Sequence, residues 1–167
     1  NVVSSAAGTI MSLVTPFSTP DLPLSELATH VHSAVSEGTL TAEQAIAMVV
    51  RFAPSYNADA IAAANGVAAE VIALVDDGFI AQADALDTLT VSGQGSGAST
   101  AARYLVAVAV ADPDTLPAAA LRFATLVDTT TPTFMMQGNV MTAQQAVTSI
   151  NAGVSIGGLS GASAVVM

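Results

Sequence analysis

A corner repeats along this chain and constrains its fold more than any other feature. Gly38-Thr-Leu-Thr-Ala-Glu-Gln-Ala-Ile46 aligns without a gap on Gly78-Phe-Ile-Ala-Gln-Ala-Asp-Ala-Leu86. With one inserted residue it also aligns on Gly138-Asn-Val-Met-Thr-Ala-Gln-Gln-Ala-Val147, and Asp114-Thr-Leu-Pro-Ala-Ala-Ala-Leu121 is a looser copy. Glycine at the first position takes the left-handed conformation that ends a helix, and the apolar residue two places on folds back over that end. Thr41 with Gln44 and Thr142 with Gln145 then have capping-box spacing, in which the hydroxyl accepts from a first-turn N–H and the amide reaches back to the cap. Each copy predicts a tight helix–helix corner. Gly38 and Gly78 lie 40 residues apart, the span of a helical hairpin, but the interval to Gly138 is not a clean multiple of it. The repeat is therefore degenerate rather than a solenoid.

Between the corners, apolar residues recur with a helical period. The stripes are Leu24, Leu27, Ala28, Val31 and Val35; Ile61, Ala64, Ala68, Val71, Ile72 and Val75; and Leu116, Ala120, Phe123, Ala124 and Val127. Tyr104–Ala111 reads YLVAVAVA, where alanine favours helix and valine at every second position favours strand. We read it as helix. The whole is predicted to be one all-α domain over 1–167, an array or bundle of about six or seven short helices. A front array (1–91) is followed by a flexible Gly/Ser linker (92–99) and a back array (100–167), with a second break at Thr129-Thr-Thr-Pro-Thr133. The tail from Ala152 to Met167 is too rich in glycine to stand as an isolated helix, so it is expected to pack against a neighbour.

Composition narrows the function. The 167 residues are 52% hydrophobic and 10% charged, with thirteen acidic groups against three Arg, no Lys and a formal charge of −10. A phosphate backbone or an anionic membrane surface would be repelled. The absence of Cys removes disulfides, thiolate nucleophiles and cysteine metal sites. A lysine-free surface of Ala, Ser, Thr and Gly suits an extracellular or cell-surface location better than the cytosol. The longest charge-free run, Thr129–Met167, carries too many Gln, Asn, Ser and Gly residues to span a membrane, and the first residues lack the basic region of a signal peptide.

Few residues suggest chemistry. His30 and His32 have a metal-ligand spacing, but on a helix residues two apart point in nearly opposite directions, so a solvent-tipped role flanking the stripe is expected. Asp76-Asp-Gly-Phe-Ile-Ala-Gln-Ala-Asp84 is part of a calcium-loop pattern, yet the first two ligand positions fall on Ala73 and Val75. Asp76, Asp77, Asp84 and Asp87 remain the candidate set for a weak calcium site, and calcium is the one candidate cofactor. No Ser lies in a nucleophile elbow, and Gly93-Gln-Gly-Ser-Gly97 lacks the lysine of a phosphate-binding loop. No catalytic residue is assigned. Phe134, Met135, Met136 and Met141 are read as core in preference to a partner patch.

The corners, the Ala/Thr/Ser/Val-rich helices and the absence of Lys and Cys resemble the helical N-terminal regions of bacterial surface-layer and RTX-type exported proteins. In that family such regions precede glycine–aspartate repeats that bind calcium, and the helical part anchors the protein to lipopolysaccharide or to neighbouring copies. Those repeats are absent from this sequence, so the resemblance implies a context and assigns no binding residue. The expected function is a non-catalytic structural or adhesive surface module that works by self-association or attachment to a cell-surface component. The small-residue segments Asn1–Pro20 and Thr129–Met167 would carry it. The alternatives are a helical carrier of a small apolar ligand, with Phe and Met lining its cavity, and, as a minor reading, an enzyme.

Overall fold

The computed structural model describes residues 23–56, 60–127, 140–155 and 160–166. Over them the chain is all-α: α1 (Leu24–Ser36), α2 (Ala42–Tyr56), α3 (Ala60–Asp76), α4 (Gln82–Gln94), α5 (Ala98–Ala111), a 3-10 turn (Pro113–Thr115), α6 (Leu116–Leu126), α7 (Ala143–Ser155) and α8 (Gly161–Val166). Described residues form no sheet; Val127 and Met141 pair in an isolated parallel bridge that ties the end of α6 to the approach of α7.

The first two corners form as the sequence predicts. Gly38 and Gly78 have φ of +70° and +75°. At each, the glycine N–H donates to the carbonyl three residues back (Val35 and Val75) and the next N–H to the carbonyl five back (Ala34 and Leu74). This pair of bonds is the Schellman closure, which satisfies carbonyls a helix end leaves open. Ile80 is buried and Leu40 packs on the core, so the apolar residue folds over the end as expected. Both capping boxes close: Thr41 N–H donates to Gln44 Oε1 at 3.0 Å and Gln44 N–H to Thr41 Oγ1 at 3.3 Å. For Thr142 and Gln145 the same bonds measure 2.9 and 3.2 Å. Gly138 lies outside the described residues.

The core is organised around α5, which packs against α3, α4, α6 and α7. Tyr104 through Ala109 are all buried, which resolves YLVAVAVA: a helix surrounded by helices needs no polar face, so its valines show no helical period. The stripes are rotated slightly from their predicted positions. On α3, Val67 and Leu74 are fully buried while Ile61 is exposed. On α6, Ala119, Phe123 and Leu126 are buried, and Ala120 and Ala124 are not.

The flexible linker predicted over 92–99 is corrected. Ser92–Gln94 complete α4, and α5 already starts at Ala98, with Gly97 (φ +109°) turning the chain between them. Gly93 is a packing residue: a Cβ there would lie 2.7 Å from the Ala101 Cα, so its bare backbone is what lets α4 and α5 touch. Residues 1–20, 129–133 and 134–136 lie outside the described set; Met141 is fully buried.

Candidate functional site

The Gly78 corner does more than reverse the chain. It sets Asp77 and Phe79 on either side of the α1 surface, where His32 projects. His32 Nε2 lies 2.9 Å from Asp77 Oδ2, and its ring meets that of Phe79 edge-on at 5.7 Å between centroids. Asp76 and Asp77 stand at the C-terminal end of α3, where the helix dipole is already negative and a carboxylate is unfavourably placed. The other ring nitrogen, Nδ1, lies 3.3 Å from Oε1 of Glu70, two turns back along α3. The imidazole thus bridges an exposed carboxylate and a buried one.

Glu70 is the anomaly. It is 6% exposed, and Oε1, 3.3 Å from His32 Nδ1, makes no close hydrogen bond among the described residues. Burial pushes its pKa from 4.5 up to about 7; the nearby His32 pulls it down and Asp77 adds to the rise. Beside it runs an open groove of about 460 Å³ between α1 and α3. Pro23, Leu24, Ser25 and Ala28 form one wall and the row Ala62, Gly66, Glu70, with Ala69, the other. The sequence reading passed over Glu70. The signal was present: a lone carboxylate between Val67, Val71 and Leu74, on the face that helical spacing sends inward.

The four aspartates proposed for calcium are not gathered into one set. Asp77 faces His32; Asp87 accepts from Arg122 Nε at 2.8 Å; Asp84 lies in the first turn of α4 and Asp76 closes α3. Among the described residues no group of three or more His, Cys, Asp or Glu side chains is arranged to hold a metal ion. His30 is exposed one turn before Ala34, and His32 is half-buried, so the two imidazoles do not converge.

A second concavity, of about 120 Å³, lies between α3, α5 and α7. Its lining is small and mostly apolar (Ile61, Ala64, Val106, Ala107, Ala152), with Arg103 at its edge. Arg103 makes no ion pair among the described residues. Next to it, α7 and α8 expose Val147, Val154 and Val165, the last 88% accessible. No family model matches the chain, and neither does any curated protein or solved structure. No helix among the described residues is long and apolar enough to cross a membrane.

Proposed function

We propose that this chain is a non-catalytic extracellular or cell-surface module that works by associating with further copies of itself, in the manner of the surface-layer and exported proteins it resembles. The observation that carries the reading is the exposed apolar surface on α7 and α8, set in a stretch, Thr129–Met167, without a single charged residue. Apolar surface of this kind gains free energy when covered, and the alanines of the adjoining groove let a second backbone approach closely. A second copy also offers Arg103 the carboxylate partner it does not have among the described residues, since the chain carries thirteen acidic groups.

Two features weigh against the alternatives. An enzyme working through a hydroxyl nucleophile needs that hydroxyl beside the imidazole, whereas both nitrogens of His32 face carboxylates. The apolar-carrier reading expects Phe and Met around a cavity. Phe123 and Met141 are instead fully packed in the core, and no Phe or Met lines either of the two concavities described above. Light scattering on the full chain tests the proposal. The mass should rise above 16.6 kDa with concentration, and Val165→Glu should lower it. A monomer at every concentration contradicts it.

A further inference from the structure

We infer that His32, Glu70 and Asp77 form a proton-operated latch, which holds α1 on α3 while the cluster is protonated and lets α1 come away as the cluster loses its protons. The first observation is where the groups stand. His32 belongs to α1, whereas Glu70 and Asp77 belong to α3 and the corner after it, so one ring spans the joint between two helices. Its Nε2 lies 2.9 Å from Asp77 Oδ2 and its Nδ1 3.3 Å from Glu70 Oε1. The second is a count of donors. An imidazolium has two N–H groups, one for each carboxylate, and a neutral imidazole has only one. Once the ring is neutral, a lone pair must face one of the two acids. Asp77, with 57% of its side chain exposed, is served by water. Glu70 is buried, and its Oε1 has no donor besides that ring among the described residues. The cost of losing the proton therefore falls on the buried carboxylate, and moving α1 off α3 relieves it by admitting water.

The third observation is the position of α1. Its principal packing partners are α2 and α3, so it can lift without disturbing α5, around which the core is built. Among the described residues the charges acting on Glu70 are His32 from α1 and Asp77 from the corner; α2, α4 and α5, which also pack on α3, add none. Glu26 and His30, also on α1, are exposed and make no ion pair with the cluster. Burial raises the Glu70 carboxyl from 4.5 to about 7, so the closed form keeps a proton that an open form gives up. Closure is thus favoured in acid and weakens as the pH rises through 7. The latch makes no use of the α7–α8 surface, and its failure would leave the association proposal standing.

The test is amide hydrogen exchange of the full chain at pH 5 and pH 8, corrected for the intrinsic pH dependence of exchange and read by mass spectrometry on peptides from α1 and α5. At pH 8 the α1 amides should be protected about tenfold less than those of α5, or weaker still, and their protection should rise by about tenfold or more on going to pH 5. Glu70→Gln should abolish that rise. Asp77→Asn, at an exposed position, frees the neutral ring's one N–H for Glu70 and should cut the rise by about twofold or more; it serves if the Glu70 variant fails to fold. Leu24→Ala removes a buried side chain from α1 without touching an ionisable group, so it should lower α1 protection at both pH values and leave the rise intact. Equal protection of α1 and α5 at pH 8, α1 protection that is flat with pH, a full rise in Glu70→Gln or Asp77→Asn, or a rise that Leu24→Ala removes overturns the proposal.

Discussion

Glu70 concentrates the electrostatic tension of this molecule in one side chain. Its folded-state pKa is raised, from 4.5 to about 7, so the folded protein holds that proton more tightly than the unfolded chain does. The sign follows by linkage: the stability this group contributes is present below about pH 4.5 and is lost as the pH rises through 7. Thermal melts between pH 5 and 8.5 should therefore show a falling midpoint, and Glu70→Gln should flatten the fall. The variant should be more stable than the native chain at pH 8, by about 1 kcal/mol, and near parity at pH 5. His32→Ala should do the reverse at pH 8 and destabilise the chain, because it removes the ring whose Nδ1 faces the buried carboxylate. Equal pH slopes for the native chain and Glu70→Gln would show that Glu70 is not the group responsible. None of this was legible from the sequence, since His32 and Glu70 meet only once α1 and α3 have packed. The isolated charge on an apolar face was the only local sign.

The helix corners were legible because everything that makes them is local. Glycine, the following apolar residue and the Thr/Gln box act within one turn of chain, and the described corners close with the bonds that spacing implies. At Gly78 a Cβ would meet nothing within 4 Å, so Gly78→Ala isolates the conformational cost of the left-handed backbone, about 1–2 kcal/mol. Gly93→Ala should cost more, about 3 kcal/mol, because the Cβ would strike the Ala101 backbone and push α5 away from α4. Denaturant melts of the two variants check the order; a Gly93 variant as stable as the native chain would mean that the α4–α5 contact is loose. The same residue shows why the linker reading failed. Gly and Ser in a row signal flexibility only when nothing packs against them, and the partner, Ala101, belongs to the next helix. The apolar stripes were legible in kind and off in phase. Alanine occurs on both the buried and the exposed sides of α3 and α6, so the pattern has too little contrast to fix the angle at which each helix faces the core.

For the whole molecule, the question is how a body of net charge −10 meets its own kind. The acidic residues are spread from Asp21 to Asp128, and the sequence from Thr129 onward, which carries the exposed Val147, Val154 and Val165, has none. Long-range repulsion between copies then opposes an association whose contacts are apolar. At about 0.01 M salt the screening length is about 30 Å, and at 0.1 M it is about 10 Å. Added salt should therefore strengthen self-association, the opposite of what an interface built on ion pairs would show. Arg103→Glu should weaken association at every salt concentration by replacing the groove's cation with another repelling charge. Sedimentation velocity across a concentration series, at low salt and at about 0.5 M NaCl, tests the central claim most directly. The account predicts a mass that rises with concentration, more steeply in the higher salt, and a shift back toward monomer when Val147 and Val165 are replaced by Glu. A single species of 16.6 kDa under all these conditions, or oligomers that the double variant leaves intact, would contradict it.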